Sequence, residues 1–171
     1  MKEILWLGRG GQGAFTAAKL LGAAYAAKGD DAYSLAFPSF GPERRGAPVR
    51  AFTKLDNKPI LDRSETELAD YIVILDETLY SENLHKLLKS GGKIIVNTKT
   101  AQSGWTAFDG DALAKSLRLP VVNTVMLGAL SGVSEVVTVA DLDAAIDGYL
   151  APKIREKNKQ AVAQSAEEVR A

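Results

Sequence analysis

The sequence predicts an α/β protein: a three-layer Rossmann-like domain with a mostly parallel sheet and a C-terminal helix. Strand-like and helix-like segments alternate along most of the 171 residues, which is typical of a sheet covered by helices. The first strand runs into a glycine-rich turn and then a helix, the arrangement found in nucleotide-binding folds. Because 46% of the residues are apolar, the chain can form one domain, 1–171, with a substantial core.

The amino-terminal part of the chain predicts three strands and two helices. The apolar run at 4–7 indicates a buried strand, and the alanine-rich stretch 14–28 contains no proline that would interrupt a helix. A second strand is expected at 32–37, and alternating side chains at 49–53 predict an edge or antiparallel strand. Capping-box spacing at 64–67 then predicts the start of a short helix.

The rest of the chain continues the alternation. Apolar runs predict three further strands, at 71–75, 93–96 and 120–122. Helical periodicity and capping signals predict helices over 78–89, 111–117 and 138–150, and others that begin at 124 and 152. The last helix, 152–171, carries only a thin apolar stripe, so we expect it to bury little against its own domain. It is therefore a candidate docking element for a partner chain, or an end that frays.

The turn after the first strand matches the spacing G-x-G-x-x-G of phosphate-binding turns. It consists of Gly8, Arg9, Gly10, Gly11, Gln12 and Gly13. In this pattern Gly8 makes the turn, Gly10 lets a ligand approach the backbone, and Gly13 packs the helix on the sheet. Backbone N–H groups and the helix N-terminus would then face an anion or nucleotide. The alternative is a turn whose glycines only permit close packing.

A dinucleotide site also needs an acidic residue at the end of the second strand, about 20 residues after the turn, for the ribose hydroxyls. Asp30 and Asp31 precede that strand and so lie at its wrong end. Only Glu43, in the proline-containing loop that follows, is placed to serve as a ribose ligand. The sequence therefore disfavours NAD as a ligand of this turn. A free-standing nucleotide-binding protein or an NAD-dependent reductase is kept as the alternative function.

The loop after the second strand, 38–48, is stiff and carries two adjacent cations, Arg44 and Arg45. Their guanidinium groups suit a phosphate or carboxylate, but they suit salt bridges with Glu43 or with another subunit equally well. Ser39 lies at the same end of the strand and joins the predicted rim of the site.

Polar residues also follow the later strands, namely Asp76, Asn97 and Asn123. Since ligands of parallel sheets bind beyond the carboxyl ends of the strands, these side chains are candidates for the same rim. Asp76 and Asn123 also precede predicted helices. Asp and Asn are preferred N-caps, so we favour capping over ligand contact at these two positions.

The composition excludes several classes of function. Net charge is zero, which gives no reason to expect nucleic acid. The absence of cysteine excludes disulfides, thiolate catalysis and an iron–sulfur cluster ligated by cysteines of this chain. The single histidine, His85, lies among charged residues and is interpreted as a surface side chain. The apolar runs are too short for a membrane and no signal peptide is visible, which predicts a soluble, cytoplasmic protein.

No pattern of catalytic residues is visible, since the chain has neither a G-x-S-x-G elbow nor a Walker lysine after the glycine turn. The glycine turn, the segment 37–49 and the segment 123–129 together resemble the gamma subunit of 2-oxoacid:ferredoxin oxidoreductases, in particular the pyruvate and 2-ketoisovalerate group. Two positions depart from the family pattern. Ala47 stands where many members have a second glycine, and 161–162 lacks the aromatic residue often found in the tail.

The resemblance implies that the chain works in a complex with alpha, beta and delta subunits. Such complexes use thiamine diphosphate and Mg²⁺ to decarboxylate a 2-oxoacid, pass electrons through [4Fe-4S] clusters to ferredoxin, and form an acyl-CoA. These cofactors belong to the partner subunits. This chain is then expected to hold no cofactor firmly, and to contribute assembly and coenzyme A contacts through the glycine turn, Arg44 and Arg45. A purely structural subunit is the remaining alternative, and neither nucleic acid nor a membrane is an expected partner.

Overall fold

The computed structural model describes residues 1–39 and 45–170. Over these residues the strands are β1 (Lys2–Arg9), β2 (Tyr33–Pro38), β3 (Pro48–Asp56), β4 (Ala69–Ile74), β5 (Leu88–Asn97) and β6 (Thr106–Phe108). The α-helices are α1 (Ala14–Ala26), α2 (Gly110–Ser116), α3 (Asn123–Ser134), α4 (Val139–Tyr149) and α5 (Pro152–Arg170). Two 3₁₀ turns, Glu77–Leu79 and Glu82–Leu87, connect β4 to β5. No helix in the described ranges has both the length and the hydrophobicity needed to cross a membrane.

The strands form one sheet in the order β2-β3-β1-β4-β5-β6. β1 pairs in parallel with β4, β4 with β5, and β5 with β6, whereas β3 is antiparallel to both of its neighbours. Of the described strands, all except β3 therefore run in one direction. The mostly parallel sheet is confirmed, as is the antiparallel strand expected at 49–53. The carboxyl ends of β1, β4 and β5 meet at one edge of the sheet, where parallel sheets bind ligands.

The two faces of the sheet are covered differently. On one face, Ile4, Trp6 and Val73 pack in the larger core together with side chains of α1, α3, α4 and α5. On the other face, Phe52 and Ile72 are buried beneath the two 3₁₀ turns. The second covering layer is therefore thin, and the helices that position the site lie mainly on one side.

The expectation that the last helix buries little against its own domain is wrong. Along α5, Ala161, Val162 and Ser165 are fully buried. They pack against α3 at Gly128, where a Cβ atom would lie 2.6 Å from the Val162 carbonyl oxygen and still closer to Ser165 Oγ. Gly132, one turn later in α3, is equally close to α5. Two small residues on α3 thus let a helix with a thin apolar stripe approach closely enough to be buried.

The prediction of a helix over 78–89 is also wrong, because this segment forms the two 3₁₀ turns and the start of β5. Leu84 and Leu87 pack on the sheet with the three-residue spacing of a 3₁₀ turn. Lys89 lies in the strand itself, where its ammonium group is 2.9 Å from an Asp70 carboxylate oxygen. These tertiary contacts override a sequence pattern that favours an α-helix.

The predictions of a helix at 64–67 and of a strand at 120–122 are also wrong, and the sequence did not predict β6. Residues 64–67 form no helix, because the Ser64 amide donates to Asp62 at 2.9 Å in a local turn. Residues 120–122 form no strand, since Val122 is already the N-cap of α3. β6 has three residues, which is too short for its periodicity to be recognised.

Candidate functional site

The glycine turn joins β1 to α1 in a conformation that glycine adopts most easily. Gly11 and Gly13 have φ values of 94° and 82°, in the left-handed region. Gln12 closes the turn, because its Oε1 accepts a hydrogen bond from the Arg9 amide at 2.7 Å and its own amide donates to the Arg9 carbonyl at 3.0 Å. The side chain of Gln12 therefore shapes the backbone of the turn.

The start of α1 is open to an anion. Gly13 stands at the N-cap and has no side chain to bond the first amides, and the first turn contains no acidic residue. Uncapped amides and the positive end of the helix dipole attract negative charge. A cavity of about 290 Å³ adjoins them, and its wall includes Gly10, Gly11, Gly13, Phe15, Thr16 and Arg50. This cavity has room for a phosphate group and part of the molecule that carries it.

The segment 45–47 is joined to the glycine turn by backbone hydrogen bonds. The Gly10 amide donates to the Ala47 carbonyl at 2.8 Å, and the Gly46 amide donates to the Gly10 carbonyl at 3.1 Å. Arg9 adds a hydrogen bond of 3.2 Å from Nη1 to the Gly46 carbonyl. The glycine turn and the end of the second sequence motif therefore form one surface.

Of the three charged residues predicted for the second motif, Glu43 and Arg44 lie outside the described residues. Arg45 is exposed and forms an isolated β-bridge with Gly10. Its guanidinium makes no ion pair with any residue of 1–39 or 45–170. The backbone of Arg45 thus lies beside the glycine turn.

Arg9 anchors the glycine turn to the end of β4. Its Nε lies 3.0 Å from Asp76 Oδ2, and its Nη2 donates to the Thr78 hydroxyl at 2.8 Å. Partial burial of Asp76 favours the neutral carboxyl, but hydrogen bonds from Thr78 and Arg9 outweigh it and lower the pKa of Asp76. Asp76 also accepts the Thr78 amide at 3.0 Å, as the capping interpretation predicts. The charge of Arg9 is therefore already matched within the chain.

Ser39 and Arg50 are held together by one carboxylate. The Ser39 hydroxyl donates to Glu65 at 2.8 Å, and Arg50 Nη2 lies 3.1 Å from the other oxygen of the same carboxylate. Arg50 also lines the cavity beside the glycine turn, whereas the hydroxyl of Ser39 is directed to Glu65. Sequence reasoning missed Arg50, and its only signal is a basic residue close after the second motif.

The loop 57–68, which carries Glu65, is itself fixed to the sheet. Lys54 on β3 is fully buried, and its ammonium lies 3.0 Å from Asp62 and 3.6 Å from Glu3. Hydrogen bonds from the side chain and amide of Ser64, followed by one from Lys54, lower the pKa of Asp62 to about 2. The loop that positions Arg50 is therefore held by a buried cation.

Asn123 lies inside the fold and links two helix N-termini. It is the first residue of α3, where its Oδ1 accepts the Thr124 amide at 2.9 Å. Its Nδ2 donates to the Gly13 carbonyl at 3.4 Å, and a Cβ atom on Gly13 would lie 2.5 Å from this nitrogen. The structure thus places Asn123 behind the glycine turn, where it holds α1 against α3.

A second cavity, of about 370 Å³, lies at the carboxyl ends of β4 and β5. The acidic side chains around it have partners within the chain: Asp76 pairs with Arg9, Glu77 with the Thr98 hydroxyl, Asp109 with the Ala112 amide and Asp111 with Asn97. In the ranges 1–39 and 45–170, no group of three or more His, Cys, Asp or Glu side chains is placed to hold a metal ion.

Comparison with known proteins assigns the family. The family model of pyruvate ferredoxin/flavodoxin oxidoreductase matches residues 3–168. The chain belongs to this family. Pyruvate synthase subunit PorC of Methanothermobacter thermautotrophicus is 43% identical, and the match covers 99% of this chain and 96% of that protein. The common subunit gamma of the pyruvate/ketoisovalerate oxidoreductases of Thermococcus litoralis is 37% identical, with 98% and 96% covered.

A solved structure from the oxidoreductase family has the same fold. The crystal structure of pyruvate oxidoreductase subunit PORC from Thermotoga maritima superposes with a TM-score of 0.82 at 32% identity, and covers 97% of this chain and 95% of that one. The family predicted from the sequence is therefore confirmed. The chain is a gamma subunit of a multi-subunit pyruvate or 2-oxoacid:ferredoxin oxidoreductase, an enzyme that acts on the oxo group of its donor with an iron–sulfur protein as acceptor.

Proposed function

We propose that this gamma subunit assembles with alpha, beta and delta subunits into a cytoplasmic enzyme that converts a 2-oxoacid to an acyl-CoA and reduces ferredoxin. Thiamine diphosphate, Mg²⁺ and the [4Fe-4S] clusters are carried by the partner subunits in this proposal. The composition supports this division, because the chain has no cysteine with which to ligate a cluster. The relative from Thermococcus litoralis is shared by two oxidoreductases, which supports a gamma subunit that does not select the oxoacid.

Within this complex, the glycine turn and the adjoining arginines bind the phosphates of coenzyme A. The observation that carries this proposal is the uncapped start of α1, which opens into the cavity beside Arg50. The backbone amides following Gly13 would donate hydrogen bonds to a phosphate oxygen, as they do at other helix N-termini. Arg45 and Arg50 would add charge-assisted hydrogen bonds on either side of the bound phosphates. Ser39 and Glu43 belong to the same proposed rim, the first by holding Glu65 beside Arg50.

The chemistry of this subunit is then positioning rather than bond-making. Arg9 and Gln12 fix the backbone of the turn, and Asn123 fixes the helix behind it. A coenzyme held by its phosphates has its thiol free to reach a neighbouring subunit, where the acyl group is formed. Contacts with the phosphates would orient the coenzyme, and a well-oriented reactant reacts faster even when these contacts lie far from the reacting atoms.

The test is the KM for coenzyme A in the assembled enzyme. Replacing Arg45 and Arg50 by alanine together is expected to raise this KM at least about tenfold, since a hydrogen bond to a charged group contributes about 1.5–3 kcal/mol. Arg44→Ala should add to the effect. The KM for the oxoacid should stay unchanged, because the oxoacid binds elsewhere.

Arg63→Ala is the matched control, because Arg63 is exposed on the loop 57–68 and has no ion pair with a described residue. An unchanged KM for coenzyme A in an intact complex would reject the ligand role of the arginines. The glycine turn would then serve only assembly, which is the purely structural alternative.

A further inference from the structure

An apolar groove lies where α4, α5 and the start of α3 meet. Its volume is about 250 Å³, and its apolar wall is formed by Leu119, Pro120, Val121, Leu150 and Ile154. Ile154 is 40% exposed, and Tyr149 nearby is 66% exposed. Large apolar side chains that remain accessible around a concave surface are typical of a protein interaction site.

Two polar side chains of this groove are already hydrogen-bonded within the chain. The Thr124 hydroxyl donates to Asn158 Oδ1 at 2.6 Å, and Asn158 Nδ2 donates to the Ile154 carbonyl at 2.8 Å. These two side chains are therefore engaged within the chain. The rest of the groove wall is mostly apolar. Its size and surface suit one or two apolar side chains inserted from another protein.

Two exposed cations stand beside the groove. Arg118 and Lys157 both line it and are exposed. Neither forms an ion pair with a residue in 1–39 or 45–170, whereas the nearby Lys159 is paired with Asp147 at 2.6 Å. An occupant with carboxylates on either side of its apolar group would complement these charges.

We propose that this groove receives a segment of a partner subunit of the same oxidoreductase, in which an apolar side chain is flanked by acidic residues. The apolar side chain enters between Leu150 and Ile154, and the carboxylates pair with Arg118 and Lys157. The inference rests on the proposed function only in that the chain works beside other subunits. It also revises the docking role expected for 152–171, because the middle and end of α5 pack on α3 and its first turns form the groove.

The test is assembly of the complex, measured by recovery of this chain on a tag attached to another subunit. The double charge reversal Arg118→Glu with Lys157→Glu is expected to lower recovery at least about tenfold, because like charges would face the partner's carboxylates. The conservative pair Arg118→Lys with Lys157→Arg should retain assembly. The matched control reverses Lys58 and Arg63, two exposed cations on the loop 57–68, and should also assemble.

A carbodiimide, which joins an amine directly to a carboxylate, gives a second readout in the wild-type complex. We expect a cross-link between Lys157 and an Asp or Glu of another subunit. Unchanged recovery of the charge-reversed chain, equal loss in the control, or a Lys157 cross-link to a second copy of this chain would each overturn the proposal. Failure here is distinguishable from failure of the coenzyme A proposal, because one experiment measures assembly and the other the KM of an assembled enzyme.

Discussion

Replacing Gly128 by alanine is expected to lower the free energy of unfolding by about 1–3 kcal/mol, although alanine is the better helix former. The added Cβ atom would lie 2.6 Å from the Val162 carbonyl oxygen, a backbone atom that cannot rotate away. Either α5 must move off α3 or the contact must be strained. Thermal or urea unfolding of the purified chain measures the effect, and the melting temperature should fall by roughly 2–4 °C for each kcal/mol.

Gly148→Ala is the matched control for this prediction. Gly148 lies in α4 with open space around its Cα, so the same substitution there should raise stability by up to about 1 kcal/mol. The same glycine-to-alanine change should therefore lower stability at Gly128 and raise it at Gly148. If Gly128→Ala were stabilising as well, α5 would not be packed on α3, and the whole helix would again be a candidate for docking on another chain.

Asn97→Ala is expected to cost about 2–3 kcal/mol, because several hydrogen bonds depend on one buried side chain. Asn97 Nδ2 donates to the Leu75 carbonyl at 3.0 Å and to Asp111 at 2.9 Å. Its Oδ1 accepts the amides of Gly110 at 2.9 Å and Asp111 at 3.2 Å. The side chain therefore fixes the N-terminus of α2 against the ends of β4 and β5, and its loss leaves buried groups without partners.

Urea unfolding of Asn97→Ala beside Asn83→Ala checks this expectation. Asn83 is exposed and makes no hydrogen bond within the described residues through its side chain, so its replacement should change stability by less than about 0.5 kcal/mol. Equal stability of the two variants would mean that water replaces the hydrogen bonds of Asn97. Asn97, the last residue of β5, would then be free to contact a ligand.

Two capping-box patterns show why part of the fold was predictable and part was not. Thr138 and Asp141 form the reciprocal hydrogen bonds of the box, at 2.8 and 3.1 Å, and α4 follows as predicted. The same spacing at 64–67 gives no helix. There the Ser64 amide donates to Asp62 in a local turn instead. A capping pattern therefore predicts a helix only where its own groups form the capping hydrogen bonds, and fails where a competing turn takes them.

In the candidate site, too, local sequence patterns predicted some features, and tertiary contacts determine the others. The glycine spacing predicted a strand, a tight turn and a helix, and the backbone forms them with φ values that favour glycine at Gly11 and Gly13. The closeness of two motifs on one surface was also predictable, because both follow strands at the same edge of the sheet. The pairing of Arg9 with Asp76 and the position of Arg50 depend on contacts across the sheet, which no spacing in the sequence encodes.

Isolation of the native complex tests whether this chain works as the gamma subunit of a 2-oxoacid:ferredoxin oxidoreductase. A tagged chain purified from its native host should carry thiamine-binding and cluster-containing subunits. The purified material should reduce ferredoxin with a 2-oxoacid, and only when coenzyme A is present. Recovery of the chain alone, with tightly bound NAD and no such activity, would contradict the role of a gamma subunit and favour a free-standing nucleotide-binding protein.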